Sequence, residues 1–395
     1  MIVHERESRD HPQAETAALR PIADAAHMFA QKCNSPATLK QPGTKLKLVA
    51  PDDWHHHLRD GPALATTVPA AAKQFKRAII MPNLVPPVTT TDAAVAYRQR
   101  IMDALHASGS PDTSFDPLMT LYLTDETPPE EVRRAAESGV IKAFKLYPAG
   151  ATTNSASGVT DIEKCGPALQ AMAEHGLLLC IHGEVTDPDI DIFDRERVFV
   201  ATKLPRILEL APGLKVVLEH LTTKEAARFI LDAGPNVAGT ITPHHLLVNR
   251  NALLAGGIRP HYYCLPILKT EEDRLALIDA VRSGCDRIFL GSDSAPHAVD
   301  NKECACGSAG VYSAHAALEL YAEAFEKAGI LHLLEPFSAV NGPAFYGLPP
   351  NTEQIALEQA EWTVPASIPF AEGFVVPFLS GSKARWRLCT GASAP

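Results

Sequence analysis

From residue 45 onward one unit recurs along the chain: a short apolar run, then a longer stretch in which apolar residues return every three or four positions. The runs lie at 46–50, 77–81, 118–123, 141–147, 177–182, 215–220, 237–242 and 287–293, eight in all. Short apolar runs bounded by polar turns predict strands buried on both faces. The intervening stretches 91–106, 129–138, 164–175, 192–210, 223–233 and 271–283 predict helices, and 313–330 adds another. Strands alternating with helices predict a parallel sheet with helical crossovers, and eight repeats over about 250 residues predict an α/β fold of the TIM (β/α)8 barrel type. A doubly wound open sheet is the rival, but no Gly-rich fingerprint follows the first strand. Residues 1–44 carry the breakers Pro12, Pro21, Pro36 and Pro42 and no long period. They predict an N-terminal extension, partly disordered or packed on the surface. Residues 45–395 are then a single barrel domain, and the last 35 or so predict a short irregular C-terminal segment.

Composition narrows the class. Hydrophobic residues make up 46% of the chain and charged residues 21%, ordinary for a globular protein with a sizeable core. The 46 acidic against 36 basic residues give −10, which argues against non-specific nucleic-acid binding. No apolar run approaches the roughly 18 residues that predict a bilayer span. The opening MIVHERESRDHPQ lacks the apolar core of a secretory signal, so a cytoplasmic setting is expected. Eight cysteines scattered over 395 residues suit reduced thiols better than a disulfide framework. Cys304 and Cys306 alone are close-set, and a lone C-x-C is a weak metal signal.

The polar residues fall where a barrel builds its sites. The run His55-His56-His57-Leu58-Arg59-Asp60 follows the first apolar run. Alternation along a strand would turn His55, His57 and Arg59 one way and His56 the other. Asn83 follows the second run, Lys145 ends the fourth, His182 the fifth, His220 the sixth, and Asp293 the eighth, with His297 just beyond. Taken singly, each has an ordinary reading: a core histidine, a lysine reaching for solvent, an aspartate capping a helix. Jointly they share one face of a barrel, the face that carries active sites. Four histidines and one aspartate exceed a single open tetrahedral zinc site. They divide between two metals, His55, His57 and Asp293 on one, His182 and His220 on the other. No further Asp or Glu is expected at a strand end to bridge them. Lys145 could do so after reaction with CO₂, because the carbamate is a planar bidentate anion and burial beside cations favours the neutral amine.

Longer motifs carry a resemblance. DDWHHHLRDG (52–61), MPNLVPPVTT (81–90), AFKLYPAGATTNS (143–155) and IHGEVTDPDIDIFDRE (181–196) are followed by LEHLTTKEAA (218–227), ITPHHLLVNRN (241–251), RPHYYCLPILK (259–269), LGSDSAPHA (290–298) and NGPAFYGLP (341–349). In this order they resemble the amidohydrolase superfamily, and within it the dihydroorotases of the single-chain bacterial type, over roughly residues 46–385. The resemblance implies reversible cyclisation of N-carbamoyl-L-aspartate to L-dihydroorotate in pyrimidine biosynthesis. It implies two Zn²⁺ per chain, bridged by N6-carboxylated Lys145 and hydroxide, with His55, His57, His182, His220 and Asp293 as the other ligands. Asp293 is then the catalytic acid and base. Arg59, Asn83 and His297 clamp the substrate carboxylate, Leu265 and Ala309 offer backbone contacts to the ring, and Thr152 and Thr153 form the tip of a closing loop. Relatives of this type are usually homodimers, so a homodimer is expected. The chain departs from the pattern at His56 and His244, which replace residues commonly Leu and Gln, and at Gly150, where Asn is usual. His56 is expected to be structural, and His244 and His245 to stay out of the metal set. Another cyclic amidase, hydantoinase- or allantoinase-like, would need no carboxylate clamp, and a silent homologue serving in assembly would not need the full ligand set.

Overall fold

A computed structural model describes residues 43–109 and 114–389. The extension expected at 1–44 thus lies outside the described residues, save its last two positions.

Eight parallel strands form one sheet in strict sequence order. Strand β1 (Lys45–Val49) stands apart, and the sheet begins with β2 (Asp53–His56) and β3 (Arg77–Ile80). It continues through β4 (Asp116–Tyr122), β5 (Ile141–Leu146), β6 (Leu178–Ile181), β7 (Val216–Leu218), β8 (Val237–Ile241) and β9 (Ile288–Leu290). The last strand returns to the first: Asp293 N donates to His55 O at 2.9 Å and His57 N to Ser294 O at 3.1 Å. This is the barrel that the alternation predicts. Helices Thr91–Ala107, Pro129–Glu137, Gly166–His175, Arg195–Leu210, Lys224–Asp232 and Glu271–Arg282 fill the crossovers within a few residues of expectation. Threonine caps start three of them: Thr90 Oγ1 accepts from Ala93 N, Thr223 Oγ1 from Ala226 N, and Thr270 forms a reciprocal capping box with Asp273.

Alternation sorts each barrel strand into two cores. Ala78, Ile80, Leu179, Ile181, Val216, Leu218, Ile288 and Leu290 face the helices. Ile79, Met81, Leu118, Ala143, Leu178, Cys180, Val217, Ala238 and Phe289 form a separate cluster in the barrel interior, plugged by Trp54, Phe345 and Tyr346. Trp54 stacks on Tyr346 with centroids 4.2 Å apart.

Two expectations are corrected. The run at 46–50 is not the first barrel strand: β1 pairs antiparallel with β10 (Gln354–Thr363), which pairs with β13 (Lys383–Leu388). Its Lys-Leu-Lys-Leu alternation, with Lys45 and Lys47 exposed, suits a sheet with one wet face, whereas all four residues of β2 are buried. The C-terminal segment, in turn, is not irregular. It supplies β10, the small hairpin β11 (Ile368–Phe370) and β12 (Gly373–Val375), and β13, whose residues alternate exposed and buried. Antiparallel partners over 300 residues apart in the chain decide this sheet.

Candidate metal centre and substrate cleft

Interior parity explains which side chains enter the site. On β5 Ala143 faces the barrel interior, so Lys145, two residues on, faces it too, and it is fully buried. On β6 Leu178 and Cys180 are followed in phase by His182. Strand β7 follows the same rule with an outcome the sequence reading missed. Val217 is interior, so the in-phase residue is Glu219 and not His220. Its carboxylate contacts Lys145 Nζ and lies 3.2 Å from His55 Nδ1. An acidic residue therefore does stand at a strand end, contrary to expectation, and strict counting from Val217 would have found it.

His220 reaches the site by another route. Its backbone adopts φ of 42°, and its N–H donates to Thr240 Oγ1 at 2.8 Å. Arg59 (φ 62°) and Asp293 (φ 43°) share this left-handed conformation. It costs a non-glycine residue about 1–3 kcal/mol and persists where surrounding structure compels it. On β2 a register irregularity between Asp53 and His56 shifts the phase, so that His55 and His57 enter the cleft although Trp54 packs in the interior. His56 turns away, its Nδ1 2.7 Å from Asp53 Oδ2 and its ring near Phe75.

These placements converge. His55 Nε2 and His57 Nε2 lie 3.1 Å apart, each 3.2 Å from Asp293 Oδ1. Three donors on edges of that length suit one cation, because a tetrahedral ion with bonds of about 2.0–2.1 Å has ligand edges of about 3.3 Å. His55, Glu219 and His220 form a second close donor group. His182 stands beside it, its ring centroid 4.8 Å from that of His220, with Nε2 2.7 Å from Glu184 Oε2.

The electrostatics agree with the donor set. Burial pushes His57 down to about 3, and it also holds His220 well below its ordinary value. Both rings are therefore neutral, with lone pairs to give. Burial is the largest single influence and works against Asp293 and Glu219 as anions, yet the charge and hydrogen bonds of His55, joined by His57 at Asp293 and by Lys145 at Glu219, together outweigh it. Asp293 is held well below its ordinary value and Glu219 at about 2. His55 Nδ1, His220 Nδ1 and Glu219 Oε1 are buried without an aligned hydrogen bond. Against burial, Glu219 and Asp293 raise His55 to about 9, so His55 and Lys145 supply the positive charge that keeps the two carboxylates anionic, and a metal among these donors would take over that role.

Beside the donors lies a polar wall. Arg59 Nη2 is 2.9 Å from His297 Nε2, and Arg59 Nε donates to Pro296 O at 3.0 Å. Asn83 Oδ1 is 2.9 Å from His57 Nδ1. The loop after β5 closes over them: Asn83 Nδ2 donates to Thr153 O at 3.4 Å and Ala309 N to Thr153 Oγ1 at 3.0 Å. Ala309 O lies 3.1 Å from His297 Nε2. Thr152 and Leu265 line the same cleft, as does Tyr147, a buried tyrosine with an unpartnered hydroxyl that the sequence reading passed over. With the loop docked, the cavity leaves room for about 20 Å³. All thirteen expected site residues lie in or directly against this cleft, while His244 and His245 belong to neither donor group.

Comparison with known proteins bears on the same region. The model of the amidohydrolase family matches residues 48–359. A dihydroorotase of Laribacter hongkongensis is 59% identical over 343 residues, 87% of this chain and 99% of that protein. Two crystal structures superpose with a TM-score of 0.79. One is the dihydroorotase of Campylobacter jejuni, at 36% identity, covering 89% of this chain and 99% of that one. The other is the dihydroorotase of Saccharomyces cerevisiae in complex with 5-fluoroorotic acid, at 33% identity, covering 87% and 98%.

Proposed function

The chain belongs to the amidohydrolase family and, within it, to the dihydroorotases, and from that premise we propose how its residues divide the work of interconverting N-carbamoyl-L-aspartate and L-dihydroorotate. Membership implies a metal. His55, His57 and Asp293 would hold one Zn²⁺; His182 and His220 would hold a second, with Lys145 between them as its carbamate. The mutual distances of 3.1–3.2 Å within the first group support that assignment. The buried Lys145, reaching Glu219 between the two groups, supports the bridging position. When bound, the metal pair supplies activation of water and polarisation of the ring amide carbonyl.

The remaining steps belong to the protein. In ring opening Asp293 accepts the proton of the attacking water and passes it to the leaving ring nitrogen; in closure it works in reverse. Arg59 holds the substrate carboxylate, oriented by His297 and Pro296 O, with Asn83 alongside. Thr152 and Thr153 close the cleft, and backbone groups of Leu265 and Ala309 contact the ring. The observation that carries the reading is the cluster of Arg59, Asn83 and His297 beside the donor groups, which supports a carboxylate clamp. A hydantoinase-like amidase would not need it. Free thiols at all seven described cysteines support a cytoplasmic setting, and a homodimer rests on the resemblance alone.

The test is turnover of dihydroorotate, hydantoin and allantoin by the purified chain, with metal content and molar mass in solution. Dihydroorotate turned over with two metals per chain is the expected result. Preference for hydantoin would overturn the clamp, and no turnover by metal-loaded enzyme would favour the silent homologue.

A further inference from the structure

Outside the catalytic groups, a second pair of imidazoles lies beside a thiol. His244 and His245 sit on the short helix Pro243–Leu247 that follows β8, are 0% and 3% exposed, and have ring centroids 4.5 Å apart. Cys264 is buried opposite them, its Sγ 3.8 Å from His245 Nε2. The Pro266 carbonyl oxygen lies 3.1 Å from His245 Nε2 and 3.4 Å from Cys264 Sγ. One donor atom from each of His244, His245 and Cys264 falls within 4.8 Å of the other two.

Ligand edges around a tetrahedral ion with bonds of about 2.0–2.3 Å are about 3.3–3.8 Å. The edges of 3.1, 3.4 and 3.8 Å among His245, Pro266 and Cys264 are of that scale. His244 is the telling member, because both its ring nitrogens are buried without a hydrogen-bond partner. A buried imidazole left without partners is destabilising, and a cation bound at one nitrogen would take up its lone pair. We propose that His244, His245 and Cys264, with the Pro266 carbonyl as fourth donor, form a closed metal site separate from the catalytic pair, for a borderline-soft divalent cation such as Zn²⁺. Two imidazoles and a sulfur favour that class over Mg²⁺ or Ca²⁺.

The protons balance. Burial pushes the Cys264 thiol up to about 12, so without a cation it keeps its proton; on binding, that proton leaves to solvent. Without a cation His245 Nε2–H can donate to Pro266 O; on binding, the ring proton would sit on Nδ1 and donate to Thr242 Oγ1, 2.7 Å away, which frees Nε2 and the Pro266 oxygen for the ion. A ligating histidine held through its other nitrogen is the usual supporting arrangement. Leu265, between two of the donors, lines the catalytic cleft, so the ion would stiffen that wall. The site would run against the expectation that His244 and His245 bind no metal, and it does not depend on the catalytic assignments.

Cobalt substitution tests it, because none of the proposed catalytic ligands is a sulfur. The full chain, stripped and reloaded with Co²⁺, should show a sulfur-to-cobalt charge-transfer band of one cobalt–thiolate centre, complete by about three equivalents, two of which fill the catalytic pair. The Cys304→Ser/Cys306→Ser double variant controls for the exposed thiol pair, whose sulfurs lie 3.8 Å apart, and should keep the band. Cys264→Ser should lose it, and His244→Gln should weaken Co²⁺ binding at this site at least about tenfold. No band in the wild type, or an unchanged band in Cys264→Ser or His244→Gln, would overturn the site. Should those variants fail to fold, X-ray absorption of the zinc-loaded Cys304→Ser/Cys306→Ser variant decides: a sulfur shell at about 2.3 Å is expected, and a purely nitrogen and oxygen shell refutes it.

Discussion

The two ends of this barrel are built from the same eight strands and obey opposite rules. At the amino-terminal end the interior is dry: Leu178, Val217, Ala238 and Phe289 pack against Trp54, Phe345 and Tyr346. At the carboxyl-terminal end, two to four residues along the same strands, stand Lys145, His182, Glu219 and Asp293. The apolar end gains its stability from burial and needs no special backbone. The polar end buries at least five ionisable groups, and three of its residues, Arg59, His220 and Asp293, adopt left-handed backbone. Strain of that kind is tolerated only where the surrounding structure compels it.

Substitutions at the two ends should therefore separate function from stability. Lys145→Ala should lower turnover by more than about 100-fold, beyond the range of a merely supporting residue, and lower metal content with it. Near-normal turnover with two metals still bound would remove Lys145 from the bridge. Phe345→Ala, at the plug and on none of the donor strands, should cost about 3 kcal/mol of stability in denaturant unfolding. Turnover per folded molecule should stay within about twofold, as for a distant independent site; a large loss of turnover there would break the division between the ends. His297→Ala should lower kcat/KM by roughly 10- to 100-fold through a charge-assisted contact to Arg59. Metal content should be unchanged, and loss of metal would mean that His297 is a ligand. Thr153→Ala removes both hydrogen bonds of its hydroxyl to Ala309, accepted from the N–H at 3.0 Å and donated to the carbonyl at 3.4 Å, each worth about 1 kcal/mol, and should raise KM severalfold with little change in metal affinity.

The contrast also explains what could be read along the chain. Seven of the eight apolar runs are barrel strands, because burial on both faces leaves a run of apolar residues that no distant partner needs to specify. The remaining barrel strand is not legible because β2, with Asp53, His55 and His56 in it, has no apolar pattern, and its polar side chains find partners partly within the strand and partly far along the chain, as at Ser292, whose N–H donates to Asp53 Oδ1 at 2.8 Å. Donor residues at strand ends were legible for a related reason: strand period places them, and residue type names their chemistry.

Whether Glu219 or His220 faces Lys145, whether His55 meets Asp293, and whether Leu46 pairs with a barrel strand or with Leu357 are settled elsewhere. Alternation could supply only the phase of each strand. The left-handed turns at Arg59, His220 and Asp293, the irregularity in β2 and the closure of β9 onto β2 then bring residues from opposite ends of the chain within 3.2 Å. A periodic pattern records what each residue does with its near neighbours. Convergence of donors depends on contacts between residues far apart in sequence, and those exist only once the barrel is closed.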